Sequence, residues 1–253
     1  MNTPVTTLPQ LGWPYPRWIA HRSAGLLAPE NTLAALKLGA RHGYRMIECD
    51  VKLSADGLPF LLHDATLERT TNGHGLAGEH SWAALARLDA GAWHSPTHAG
   101  EPLPTLATVA AWCLAQRCWL NIEIKPTPGT EAQTGREVAR AAAHLWAGSE
   151  QKPLLTSFQS TALAQAREAA AELPRGLLLK QLPPDWLATA RRLGCAAVVL
   201  HHPLWTATTV DLARRAGLRT LAYTVNHPTE VQRLQALGLD GLITDRVDLF
   251  KPD

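Results

Sequence analysis

The sequence predicts a (β/α)8 TIM barrel carrying a small insertion after the hairpin of its second strand. Three observations predict it. In the second half of the chain, strand starts fall near Leu154, Gly176, Ala197, Arg219 and Gly241, at spacings of 22, 21, 22 and 22 residues. Each short apolar run there precedes a helical stretch, and continuous apolar runs alternating with helices mean parallel βα units. Nine strand candidates occur in all, and one must be the antiparallel arm of a hairpin, leaving the eight of a barrel. A doubly wound sheet is the competing topology. The 253 residues suit one such domain spanning 1–253, with the insertion at about 64–104.

Composition narrows the function classes. The chain is 46% apolar and 18% charged, with a net charge of +2, which gives no case for a nucleic-acid or membrane surface. No apolar run approaches the ~20 residues that a membrane span needs. Residues 1–18 lack a basic stretch followed by an apolar one, so no signal peptide is expected. Cys49, Cys113, Cys118 and Cys195 have neither zinc-ligand spacing nor disulfide-scaffold density. They read as reduced thiols of a cytoplasmic protein.

Taken in order, residues 1–16 hold four prolines and read as an extended lead-in. Arg17-Trp18-Ile19-Ala20 is a short strand ending at His21-Arg22. After a loop, Pro29-Glu30-Asn31-Thr32 carries the proline and early carboxylate of a helix N-terminus. Leu33, Leu36 and Ala40 form the helical stripe, closed near Gly43. Met46-Ile47-Glu48-Cys49-Asp50-Val51 is the second strand. Leu58 to Leu62 is its antiparallel partner, because Ser54-Ala55-Asp56-Gly57 is too short for a parallel crossover. A four-residue loop sets His63 opposite Glu48; a two-residue loop sets it opposite Asp50.

From Asp64 to Pro104 the periodicity fails, with only a weak helical signal at Trp82 to Leu88. Long connections of this kind are often functional, and the segment is expected to cap the site. Thr105 opens a helix running to about Gln116. Trp119 to Lys125 is the next strand, with Asn121, Glu123 and Lys125 on one face, and a helix follows over Ala132 to Trp146.

The chemistry lies in charged groups at strand ends. Glu48 and Asp50 share one strand face. At roughly 4 Å and an effective dielectric of about 20, such a pair costs on the order of 4 kcal/mol. A proton, a cation or a metal must offset it. Barrel sites collect at the C-terminal ends of strands, which brings His21, Arg22, His63, Glu123 and Lys125 to the same rim. Three carboxylates in one pocket, Glu48, Asp50 and Glu123, suit one hard divalent cation, Mg²⁺ or Ca²⁺ with Mg²⁺ favoured, better than zinc. His21 and His63 are then free for proton transfer, and Arg22 and Lys125 for holding an anion. That set suits phosphodiester cleavage. His201-His202 also ends a strand but has no evident carboxylate partner, so a metal role is not assigned. His74, His80, His94 and His98 read as solvated loop residues, His74 being the one placed to reach the site. Asn31 and Tyr223 are candidate pocket residues.

The ordered series His21-Arg22-Ser23, Pro29-Glu30-Asn31-Thr32, Glu48-Cys49-Asp50, His63-Asp64 and Glu123-Ile124-Lys125 resembles the glycerophosphodiester phosphodiesterase family, in its compact cytosolic bacterial form. Further similarity lies at Ser157-Phe158, Tyr223-Thr224-Val225-Asn226 and residues 240–245, so the resemblance covers about residues 17–250. It implies a metal at Glu48, Asp50 and Glu123, an acid/base pair in His21 and His63, and phosphate binding by Arg22 and Lys125. The implied reaction is hydrolysis of a glycerophosphodiester, such as glycerophosphocholine or glycerophosphoethanolamine, to sn-glycerol 3-phosphate and an alcohol. The nucleophile is water or the glycerol 2-hydroxyl through a cyclic phosphate. Two positions depart from the family pattern. Ser23 replaces a glycine, which carries a conformational penalty if φ is positive there or adds a hydroxyl near the phosphate. Tyr223 stands where Trp is common.

Three rival readings fit the residues less well. A glycoside hydrolase needs a second carboxylate, and strands six to eight end without an obvious one. A lyase- or phospholipase-D-like relative would be expected secreted and disulfide-bonded. A non-catalytic sensor would not need all seven charged groups.

Overall fold

The computed structural model describes residues 12–252, so most of the lead-in lies outside the described residues. The strands are β1 (Trp18–Ala20), β2 (Met46–Leu53), β3 (Pro59–Leu61), β4 (Trp119–Ile124), β5 (Leu154–Ser157), β6 (Arg175–Leu179), β7 (Ala197–His201), β8 (Arg219–Tyr223) and β9 (Gly241–Thr244). The helices are α1 (Leu33–Arg41), α2 (Trp82–Leu85), α3 (Leu106–Gln116), α4 (Glu131–Leu145), α5 (Ser160–Ala169), α6 (Trp186–Arg192), α7 (Ala207–Arg215) and α8 (Pro228–Ala236). All strands but β3 run parallel, and β1 pairs with both β9 and β2, closing an eight-stranded barrel. No described helix is long and apolar enough to cross a membrane.

Strand alternation divides the side chains into two layers. One parity points into the barrel, where Ile19, Met46, Leu154, Leu178, Val199, Leu221 and Ile243 pack together. The other parity packs against the helices: Ile47, Cys49, Val51 and Ile122 toward one half of the ring, and Trp18, Ala20, Val198 and Leu200 toward the other. Continuing the inward parity toward the C-terminal ends gives His21, Glu48, Asp50, Glu123, Lys180, His201, Tyr223 and Asp245. The site therefore stands on top of the apolar plug.

Two local expectations are corrected. The hairpin pairs Val51 with Leu61, Lys52 with Phe60 and Leu53 with Pro59, so five residues, Ser54 to Leu58, form the turn. Ser54 fixes this length: its Oγ accepts from Leu58 N–H at 3.0 Å and donates to Asp56 at 2.6 Å. Gly57 supplies the positive φ, +80°. Neither proposed register holds, because the odd loop length puts His63 opposite neither carboxylate. His63 reaches the site from the segment after β3 has ended. The first helix likewise starts later than expected. Asn31 takes φ +58°, outside the helical region, and Thr32 is the N-cap, its Oγ1 accepting from Ala35 N–H. Glu30 thus lies outside the helix and its carboxylate is free for ion pairing.

The 64–104 segment is largely non-repetitive. Leu67, Ala77, Leu85, Ala90 and Leu103 bury a small core with Phe60 and Leu62 of the hairpin arm.

Candidate active site

The acidic pair expected from the sequence stands at the top of β2. Glu48 and Asp50 are both almost fully buried, and Glu123, paired with Asp50 across the β2–β4 ladder, joins them. Among the described residues these three form a carboxylate triad with one oxygen from each within 4.8 Å of the others. Burial, followed by repulsion from Asp50, raises the proton affinity of Glu48 well above the carboxylate range. Burial and Asp50 raise Glu123 in the same way. Burial opposes charge on Asp50 too, but Lys125, His63, Arg22 and the Asn31 hydrogen bond outweigh it and hold Asp50 ionised.

Basic side chains surround the triad. Lys125 Nζ lies 2.6 Å from Glu123 Oε1 and 3.4 Å from Asp50 Oδ1. Arg22 donates its backbone N–H to Glu48 Oε2 at 2.8 Å, and its guanidinium reaches Glu30 at 3.1 Å. Asn31 donates to Asp50 Oδ2 at 2.9 Å and accepts from Asp50 N–H at 3.0 Å. Asn31 therefore orients a carboxylate from behind and does not line the cavity.

Each histidine is held by an aspartate. His21 Nδ1 lies 2.6 Å from Asp245 Oδ1, and His63 Nδ1 lies 2.6 Å from Asp64 Oδ1. Burial lowers His21, but Asp245 and Glu48 outweigh it and raise its proton affinity above the ordinary value. Burial, with Lys125 and Arg22, leaves His63 below its ordinary value. The surroundings thus shift the two imidazoles in opposite directions.

A cavity of about 340 Å³ opens over this cluster, lined by His21, Arg22, His63, Glu123 and Lys125 on one side. Phe158, Lys180, His201, Tyr223 and Thr224 line the other. A larger cavity of about 600 Å³ lies around Arg175, Cys195 and Arg219, at the opposite ends of the strands. It contains none of the triad, so the chemistry is not there.

All seven charged residues named from sequence meet at one rim, and Tyr223 lines the cavity as expected. His74 does not reach it; it is exposed, its carbonyl bonded to His80 Nε2 at 3.0 Å. His202 has a carboxylate neighbour after all, Glu230 at 2.9 Å, which α8 brings over. That glutamate is shared with Arg233, and His202 stays outside the triad. Strand eight of the barrel, β9, does end beside a carboxylate, Asp245, but this group is committed to His21 and to Asn226 at 2.8 Å. Ser23 has φ +84° and is fully buried, so its hydroxyl is not in the cavity. Sequence reading missed Asp245, Lys180 and His201 as site residues. The inward parity of their strands was the signal that could have found them.

The triad fits a divalent cation. Glu48 Oε1 is buried without a hydrogen-bond partner, the donor set is all oxygen, and repulsion among the three carboxylates is relieved by a cation.

Comparison with known proteins agrees with the geometry. The sequence model of the glycerophosphoryl diester phosphodiesterase family matches residues 21–249. A glycerophosphodiester phosphodiesterase of Caldanaerobacter subterraneus subsp. tengcongensis is 32% identical over 235 residues, covering 90% of this chain and 93% of that protein. An Oleispira antarctica phosphodiesterase, solved with its product sn-glycerol-3-phosphate, superposes with a TM-score of 0.85 at 34% identity, covering 91% of this chain and 93% of that one. A glycerophosphodiester phosphodiesterase from Agrobacterium tumefaciens gives a TM-score of 0.77 at 27% identity, covering 93% and 99%. The chain belongs to the glycerophosphoryl diester phosphodiesterase family and is a glycerophosphodiester phosphodiesterase on a (β/α)8 barrel.

Proposed function

We propose that this enzyme hydrolyses glycerophosphodiesters, glycerophosphocholine and glycerophosphoethanolamine among them, to sn-glycerol 3-phosphate and an alcohol, with His21 and His63 moving the protons and a divalent cation at Glu48, Asp50 and Glu123. The observation that carries this reading is the convergence of two His–Asp pairs on one cavity beside a buried carboxylate triad. The product bound to the Oleispira antarctica relative supports the substrate class.

When bound, the cation supplies Lewis-acid stabilisation of charge developing on phosphoryl oxygen; the all-oxygen set favours Mg²⁺ or Ca²⁺. Arg22 and Lys125 face the cavity and hold the phosphate. Asp245 and Asp64 fix the two rings through Nδ1, which leaves each Nε2 to exchange a proton with the nucleophile or the leaving alcohol. The 64–104 segment acts as a cap of the single domain. Its Arg69 ties the segment to Glu30 at 2.7 Å and bonds the segment's own first residue, Asp64, at 2.5 Å. Four free, buried thiols favour a reducing, cytoplasmic setting.

The test is release of glycerol 3-phosphate from glycerophosphocholine, with and without EDTA, by wild type, His21→Ala and His63→Ala. Each substitution is expected to lower turnover by roughly 10²–10⁴-fold, and the chelator to abolish it. Near wild-type turnover in either variant would remove that histidine from the mechanism.

A further inference from the structure

The rim of the barrel is divided. Its β1, β2, β4 and β9 side carries Glu48, Asp50, Glu123 and Asp245 with the two catalytic imidazoles. Its β5 to β8 side carries an uninterrupted row without a carboxylate: Phe158, Lys180, His201 and Tyr223, all lining the cavity. The register explains the row. Leu179 pairs with Leu200, and His201 with Tyr223, so Lys180, His201 and Tyr223 stand side by side one step above the inward Leu178, Val199 and Leu221.

Among the described residues lining this cavity, Arg22, Lys125 and Lys180 are cations, and Glu123 is the one carboxylate. Glu123 is held by Lys125 at 2.6 Å. Arg22 and Lys125 sit against the triad, where the phosphate binds. Lys180 is on the opposite wall, on the strand beside that of His201, away from the triad. Burial, then His202 and Lys180, hold His201 below its ordinary value, which favours the neutral imidazole with one ring N–H to donate.

A cationic alcohol is poorly served by this wall. Aromatic faces attract ammonium groups, but Lys125 Nζ already lies 5.6 Å from the Phe158 ring centroid. Tyr223 is turned edge-on to Phe158 at 5.6 Å and lies against His201 at 5.8 Å.

We propose that Lys180 and His201 form an anion-receiving wall of the subsite for the leaving alcohol, so that the enzyme favours glycerophosphodiesters whose alcohol carries a further phosphate or phosphodiester over those whose alcohol carries an ammonium group. This rests on the glycerophosphodiesterase reading given above. The bond broken is the same; what changes is which alcohol is held while it leaves.

Three substrates test it: bis(glycerophospho)glycerol, with an anionic alcohol portion; glycerophosphoglycerol, neutral; and glycerophosphocholine, cationic. Rates for the first are halved for its two equivalent scissile bonds. The wild-type kcat/KM is expected to fall in that order, by about tenfold from first to last. Lys180→Gln is expected to reduce the anionic-over-neutral ratio about tenfold, chiefly through KM, and His201→Gln to reduce it less. Equal losses for all three substrates in Lys180→Gln would overturn the inference, placing Lys180 on the shared glycerol phosphate. So would a wild-type ranking led by glycerophosphocholine. Hydrolysis of none of the three would instead sink the phosphodiesterase reading, and this inference with it.

Discussion

His21 Nδ1 lies 2.6 Å from Asp245 Oδ1, joining the residue that follows the first barrel strand to the one that follows the last. The contact spans 224 positions of sequence and exists because β1 and β9 pair to close the barrel. Asn226 fixes the other carboxylate oxygen at 2.8 Å, so the aspartate cannot turn away. The His21 imidazole is thus oriented by barrel closure itself.

Replacing Asp245 with Asn removes the charge that orients His21 and raises its proton affinity. Turnover is expected to fall on the order of tenfold or more, short of the ~10²–10⁴ expected for deleting an acid/base group. KM should change little. Steady-state kinetics on glycerophosphocholine decide it, and an unaltered kcat would remove Asp245 from the mechanism.

The triad is repulsive without a cation and stabilising with one. Adding Mg²⁺ or Ca²⁺ to EDTA-treated protein is expected to raise Tm, with about 2.7 kcal/mol gained at a hundredfold excess over Kd. In Glu48→Gln the response should be lost, while the metal-free protein changes little in stability at neutral pH, because burial and Asp50 already favour the neutral, protonated carboxyl of Glu48. Thermal unfolding with and without metal reads both effects. A metal-induced rise in Glu48→Gln equal to that of wild type would exclude this carboxylate as a ligand.

Ser23 sits at φ +84°, and its buried Oγ has no hydrogen-bond partner. Non-glycine residues in left-handed backbone cost roughly 1–2 kcal/mol, and the orphaned hydroxyl adds to that. Ser23→Gly is expected to stabilise the protein by about 1 kcal/mol, raising Tm by roughly 2–4 °C. A lower Tm would mean that the hydroxyl has a role beyond these contacts.

Arg69 pins the 64–104 segment to Glu30 and also bonds Asp64 at the segment's own start. Its hydrogen bond holds Asp64 well below the usual carboxylate range, and Arg69 with Arg22 outweighs burial to lower Glu30 too. A carboxylate with a depressed folded pKa stabilises above its unfolded pKa, and that contribution disappears as pH falls through the folded value. Arg69→Met is therefore expected to cost on the order of 1 kcal/mol at pH 7, with the gap to wild type narrowing below about pH 4. Urea midpoints at pH 7, 5 and 3.5 would show this; a gap that widened on acidification would contradict the linkage.

Much of the barrel was legible because its signals are local. The 22-residue strand period, the Glu48/Asp50 spacing and the Glu123/Lys125 face are properties of neighbouring residues, and each lies where it was expected. The hairpin register was not legible. It turned on Ser54 closing a five-residue loop through its own side chain, where the sequence suggested a four- or a two-residue loop. The first helix was placed too early because Pro29 and Glu30 carry N-terminal signals that the positive φ of Asn31 overrides.

By itself, then, the sequence determined the alternation of strands and helices, the inward parity and the seven charged groups that stand at strand ends. Tertiary structure decided which distant groups pair: Asp245 with His21, Glu30 with Arg69, and Lys180 beside His201. The physical reason is one of range. Backbone alternation and hydrophobic period act over a few residues and are written in order along the chain. Hydrogen bonds and charge pairs between strand ends act over 3–4 Å in space, and closing the barrel is what brings residues 21 and 245 within that distance.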